Sequence, residues 1–190
     1  MSKLYVVGIG PGKHECMTLE ASRALEESDV IVGYQAYIDL VKNEYPDKEF
    51  FSTPMKKEID RCIEALNLTK AGKNVSMICS GDSGIYGMAS PILQLSKDYP
   101  DVDIEILPGV SAALSGASVL GAPLAHDFCV ISLSDLLTSW EVIEKRLRGA
   151  ALGDFCVAIY NPSSHKRADY LAKACDILLE EKSNSATGLF

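Results

Sequence analysis

Short apolar runs that end in glycine recur along this chain, and each is followed by a stretch with helical spacing. Leu4-Tyr5-Val6-Val7-Gly8-Ile9 runs into Gly10-Pro11-Gly12, Asp29-Val30-Ile31-Val32 ends at Gly33, and Val75-Ser76-Met77-Ile78-Cys79 runs into Ser80-Gly81-Asp82. Runs of this length and punctuation read as buried strands. Between them, a helix capped by Thr18 carries Leu19, Ala21, Ala24 and Leu25, and a brief helix is expected over 38–42. Residues 58–71 place Ile59, Cys62, Ile63 and Leu66 on one helical face, which stops at Gly72. A helix to about residue 97 follows the turn at 80–88, then an edge-like strand over 102–106 and a helix rich in Ala, Ser and Gly over 111–120. Beyond these the pattern gives strands at 128–132 and 155–160, helices at 139–151 and about 166–181, and the start of one more strand at 186–190. Such regular alternation predicts an α/β protein with mainly parallel sheets. The least interrupted boundary lies at 107–110, so an N-terminal α/β domain is expected over 1–108 and a C-terminal one over 109–190. Gly188-Leu189-Phe190 reads as the interior of a strand, which predicts a second domain truncated at its C-terminus.

Composition narrows the partners. The formal charge of −8 argues against nonspecific binding to nucleic acid or an anionic membrane. No stretch approaches the roughly 18 apolar residues of a membrane span, and Met1-Ser2-Lys3-Leu4 has no signal-peptide layout, so the expected location is cytoplasmic. The six cysteines (16, 62, 79, 129, 156 and 175) contain no C-x-x-C spacing. Cys79, Cys129 and Cys156 fall inside apolar runs and read as small buried hydrophobes. His14, His126 and His165 are far apart, so no metal held by the protein is expected.

The turn Ser80-Gly81-Asp82-Ser83-Gly84-Ile85-Tyr86-Gly87-Met88 sits at the carboxyl end of a parallel strand, where open α/β sheets bind ligands. Its glycines let backbone approach a ligand, and Asp82 can accept from hydroxyls or an amine. The same residues also make an ordinary strand-to-helix connection. Gly8-Ile9-Gly10-Pro11-Gly12 is not a dinucleotide fingerprint, because position 13 is lysine and the second strand ends in Gly33-Tyr34 without an acidic residue. His126-Asp127 could serve as an acid/base pair, although adjacent side chains need not point the same way. Ser134 and Asp135 read as caps. Lys56-Lys57, Lys145-Arg146 and Lys166-Arg167 read as solvated faces, and Glu141/Lys145 and Glu144/Arg148 as ion pairs along one helix. Small residues over 111–120 imply close packing, against a sheet or against another chain.

Taken in order, Gly8-Ile9-Gly10-Pro11-Gly12, Ser80-Gly81-Asp82 and Pro108-Gly109-Val110-Ser111-Ala112 resemble the tetrapyrrole methylases, two-domain α/β enzymes that use S-adenosylmethionine. Within that family, Val32-Gly33-Tyr34-Gln35-Ala36-Tyr37, Leu120-Gly121-Ala122-Pro123-Leu124, His126-Asp127-Phe128 and 131–137 look like the precorrin-3B C-17-methyltransferase branch of cobalamin biosynthesis. So do 140–147 and Tyr160-Asn161-Pro162-Ser163-Ser164. The resemblance implies cofactor contacts at Pro11, Gly81, Asp82, Ile85, Ser111, Ala112 and Asn161. It implies a trough for the tetrapyrrole substrate near Tyr34, Tyr37, Ser132, Ser134 and Asp135, with His126 or Asp127 as a base. It also implies a homodimer. The reaction implied is methyl transfer to C-17 of a precorrin-3-type ring with ring contraction, with or without cobalt in the ring. Alternatives are a relative acting on ribosomal RNA or a modified protein residue, or a non-catalytic binding protein. Ser83 stands where the family often has proline, from which a looser turn is expected, and family members usually continue past residue 190.

Overall fold

The computed structural model describes residues 2–54 and 57–181. The chain divides into two compact units, Met1–Ser115 and Gly116–Phe190. The division falls inside a helix, past the Pro108-Gly109 turn at which the sequence pattern sets it.

The first unit holds β1 (Lys3–Gly8), α1 (Leu19–Glu27), β2 (Val30–Tyr34), α2 (Gln35–Val41), β3 (Glu49–Thr53), α3 (Glu58–Lys70), β4 (Val75–Cys79), α4 (Ala89–Leu95) and β5 (Asp103–Leu107). The five strands form one sheet in the order β3-β2-β4-β1-β5, with every pair parallel. Parallel strands need both faces covered, which is why β2 and β4 read as unbroken apolar runs. Alternate residues serve opposite faces. Leu4, Val6, Val32 and Met77 pack with Cys62 and Leu66 of α3 and Ile92 of α4. Val7, Ile31 and Ile78 pack with Ala21 and Leu25 of α1 and Ile38 and Val41 of α2. Each large apolar side chain fully buried in this way contributes about 1.5–3 kcal/mol before entropic costs. Thr18 caps α1 as its sequence predicts, its Oγ1 accepting from the Ala21 N–H at 3.1 Å.

Strand β3 was not anticipated. It is an outer strand with half-exposed residues, so its polar members Glu49, Ser52 and Thr53 disguise it as a loop. Phe50 and Phe51 nevertheless point to opposite cores.

Between the units runs α5 (Ala112–Val119), which buries no residue, with Leu114 and Val119 exposed. The close packing implied by its small residues is therefore absent among the described residues. The second unit contains the parallel pair β6 (Phe128–Ser132) and β7 (Cys156–Tyr160), with α6 (Trp140–Leu152) and α7 (Tyr170–Glu181). Ile131, Leu133, Ile143, Leu147, Ala174 and Ile177 form its core. Helix α7 begins later than its pattern indicates, because the segment after β7 turns back first. The ion pair Glu144–Arg148 forms at 2.8 Å. The strand expected at 186–190 lies outside the described residues. No helix among the described residues is long and apolar enough to cross a membrane.

Candidate functional site

In the first sheet β1 and β4 are neighbours, yet β1 leads to α1 on one face and β4 leads to α4 on the other. Such divergence opens a crevice at the carboxyl ends of the two strands. The two departing loops are bonded together there. The Ile9 N–H donates to Cys79 O at 2.9 Å, Gly10 N–H to Gly81 O at 3.0 Å, and Gly81 N–H to Gly10 O at 2.8 Å. Gly10 and Gly81 take φ of +63° and +69°, which favours glycine at both. The loop after β5 closes against them. A Cβ on Gly109 would stand 2.2 Å from Gly81 O and 2.5 Å from Gly8 O, and one on Gly8 would stand 2.7 Å from Gly109 N. The floor of the crevice is thus bare backbone from three strand ends. Gly8 and Gly109 belong to motifs visible in the sequence, but their close packing against each other is not legible there.

Asp82 holds this floor in shape. Its Oδ1 accepts from the N–H groups of Gly84 at 2.8 Å and Ile85 at 3.0 Å, and its Oδ2 accepts from the Gly109 N–H at 3.0 Å. One carboxylate therefore turns its own loop and ties it to the loop after β5. A carboxylate has about four lone-pair sites, so room remains for one further donor. Ser83 departs from expectation. It is buried, and its hydroxyl donates to Leu107 O at 2.8 Å, so it fastens the turn to the end of β5 instead of loosening it. Beneath the loop, Cys79 Sγ accepts from the Met88 N–H at 3.4 Å, and burial pushes its thiol up to about 12. That thiol stays neutral and unreactive at physiological pH.

The rim is apolar. Pro11, Ile85, Val110 and Ala112 are exposed, while Ser111 is buried and its carbonyl accepts from Leu114 and Ser115 N–H at the start of α5. Pro11, Gly81, Asp82, Ile85, Ser111 and Ala112 thus gather at one sheet edge. Tyr34 closes β2 on the same edge, and its ring meets Tyr37 edge-to-face at 5.4 Å. Burial raises the Tyr37 phenol above its ordinary range, with smaller contributions from Cys79 and Tyr34.

In the second unit, Ser132, Ser134, Asp135 and Asn161 collect at the carboxyl ends of β6 and β7. Asn161 takes φ of +51°, and its Nδ2 donates to Ser132 Oγ at 2.9 Å. The Ser134 N–H donates to the same hydroxyl at 3.2 Å. Asp135 accepts from the Tyr170 hydroxyl at 2.8 Å and pairs with Arg167 Nε at 3.4 Å. Its bonding thus exceeds that of a simple cap. His126 and Asp127 are exposed at the opposite, amino end of β6, where Asp127 is about 17 Å from Ser132 at the rise of a strand. The structure does not bring them to the rim that carries Ser132 and Asn161. Arg167, which reads as solvated in sequence, has a side chain only 11% exposed. Among the described residues no three His, Cys, Asp or Glu side chains gather as metal ligands.

A crevice floored by bare backbone and edged by small apolar side chains fits a nucleoside-bearing cofactor such as S-adenosylmethionine, which presents a flat ring and several polar atoms. A sequence model of the tetrapyrrole (corrin/porphyrin) methylases matches residues 3–187. The chain belongs to the tetrapyrrole methylases. This methylase is 51% identical over 181 residues to the probable cobalt-factor III C(17)-methyltransferase of Salmonella typhimurium, covering 95% of this chain and 75% of that protein. It is 48% identical over 188 residues to the cobalamin biosynthesis protein CbiHC of Archaeoglobus fulgidus, covering 98% of this chain but 42% of that longer protein. The crystal structure of the methyltransferase CobJ matches with a TM-score of 0.89 at 39% identity, over 96% of this chain and 77% of that one.

Proposed function

We propose that this tetrapyrrole methylase transfers a methyl group from S-adenosylmethionine to C-17 of a cobalt-bearing precorrin-3-type macrocycle, with ring contraction, in cobalamin biosynthesis. The observation that carries the proposal is the 51% identity to the Salmonella relative, over 95% of this chain. Bound there, S-adenosylmethionine supplies an electrophilic methyl group on its sulfonium. The chain's own contribution is placement. The backbone of Gly81, held by Asp82, lies along the polar part of the cofactor, and Pro11, Ile85 and Ala112 give apolar contact. Ser111 and Asn161 are the candidates for further polar contacts. Tyr34, Tyr37, Ser132, Ser134 and Asp135 line the path of the macrocycle. Holding two reactants in register and away from water supplies most of what such a reaction needs from a protein.

His126 and Asp127 remain the candidates for taking a substrate proton. Unchanged turnover in His126→Ala removes that histidine from the reaction. The free cysteines among the described residues suit a reducing cytoplasm. The bare surface of α5 suits a homodimer, which light scattering of the purified protein would weigh directly.

The deciding experiment has two stages. Calorimetry with S-adenosylhomocysteine is expected to show one site per chain, and no binding would leave a non-catalytic binding protein. Incubation with S-adenosylmethionine and either the cobalt-containing or the metal-free macrocycle, read by mass spectrometry, is expected to add one methyl group to the cobalt form. Cofactor binding without methylation of either ring would direct the search to another acceptor, such as RNA or a protein residue.

A further inference from the structure

The segment after β7 returns Arg167 beneath the ends of both strands of the second unit. The turn is closed by the Arg167 N–H donating to Ser164 O at 2.9 Å. From that position the guanidinium reaches three places at once. One terminal nitrogen, Nη1, donates to Leu133 O at 2.8 Å, just past β6, and to Asn161 O at 3.2 Å, just past β7. Nε faces Asp135 Oδ1 at 3.4 Å, while the other oxygen of Asp135 accepts from Tyr170, whose ring lies 5.9 Å from the guanidinium carbon. These atoms come from the loop after β6, the loop after β7 and the start of α7. The side chain is 11% exposed, so most of it is withdrawn from solvent.

Asn161 gives this arrangement its meaning. Among residues with a Cβ, asparagine enters the left-handed region most readily, and it is fixed there where surrounding bonds hold it. Two bonds do so here. Nδ2 of Asn161 donates to Ser132 Oγ, and its carbonyl is held by Arg167.

We infer that Arg167 is a positioning residue: it sets the left-handed conformation of Asn161 and the loop that carries Asp135, and so fixes how Ser132, Asp135 and Asn161 are presented to a ligand at the carboxyl ends of β6 and β7. The inference rests on the proposed function for the identity of the ligand. Lysine replaces the arginine incompletely, because one ammonium can serve the two carbonyls that Nη1 serves but does not also reach Asp135 in the fixed geometry of the fork.

The test compares Arg167→Met, Arg167→Lys and Arg148→Met in the full chain. Arg148 serves as the control, since it makes ion pairs in the same unit with Glu144 and Glu180 and touches neither strand end. Calorimetry with S-adenosylhomocysteine should show affinity falling tenfold or more in both Arg167 variants, on the order of one lost charge-assisted bond network, and unchanged in Arg148→Met. Hydrogen exchange, read without any ligand, should accelerate in both Arg167 variants over 132–136 and 161–167 and not in the core of α6. Wild-type affinity in Arg167→Met overturns the inference. So does exchange that accelerates uniformly across the unit, since that marks a merely structural arginine. If the wild-type chain binds no S-adenosylhomocysteine, the proposed function fails, and the exchange pattern alone decides whether Arg167 sets these loops.

Discussion

Replacing Asp82 by alanine tests whether one carboxylate holds the crevice together. The substitution removes the acceptor of three backbone N–H groups. Those of Gly84 and Ile85 belong to exposed residues, so water replaces the lost partner and the expected cost is about 0.5 kcal/mol each. The N–H of Gly109 is partly buried, with the backbone of Gly8 and Gly81 packed close to this residue, so water replaces its partner less readily. Leaving it unpaired costs about 1–3 kcal/mol. The total loss for Asp82→Ala is therefore about 2–4 kcal/mol. Asp82→Asn keeps one oxygen for Gly84 and Ile85 but turns an NH2 toward Gly109, so it should lose about 1–3 kcal/mol. Urea unfolding followed by circular dichroism measures both, and calorimetry with S-adenosylhomocysteine should show affinity falling in parallel. Asp82→Ala within about 0.5 kcal/mol of wild type would refute the reasoning. So would an asparagine variant less stable than the alanine one.

Two further outcomes follow from the same geometry. Gly109→Ala drives a methyl group into the Gly81 and Gly8 carbonyls at 2.2 and 2.5 Å, neither of which can swing aside, so about 3 kcal/mol or more should be lost; a soluble variant melting like wild type contradicts this. Burial pushes the Cys79 thiol up to about 12 and the Cys62 thiol up to about 11. Their folded values exceed the ordinary thiol range, so their stabilising contribution is complete below about pH 8.5 and is lost as pH rises toward 11–12, at up to about 1.4 kcal/mol per pH unit per thiol. Urea midpoints taken from pH 8 to 11 should fall accordingly. Iodoacetamide at pH 8 should leave both cysteines unlabelled until denaturant is added, with mass spectrometry reading the sites.

What could be read from the sequence, and what could not, divides along a physical line. The strands β1, β2 and β4 are buried on both faces, so their apolar runs reveal them without help, and Thr18 and Gly72 mark helix ends through local bonding alone. Family resemblance then brought Pro11, Gly81, Asp82, Ile85, Ser111 and Ala112 into one list, and the sheet order explains why they meet: the loops after β1, β4 and β5 leave adjacent strands. What stayed hidden depends on contacts between distant residues. Strand β3 is a strand because β2 offers it a partner, not because Glu49-Phe50-Phe51-Ser52-Thr53 insists on it. Asp82 reads as a ligand contact, and nothing local shows that Gly109, in another loop, also donates to it. Ser83 looked like a lapse from proline, when its hydroxyl makes a bond to Leu107 that proline cannot make. Arg167 follows Lys166 in a run that reads as solvated, and only the return of the chain after β7 carries it under two strand ends. In each case the missing information was the neighbour. The side chains that hold these strand ends in shape are thus those whose partners lie in another loop or strand end.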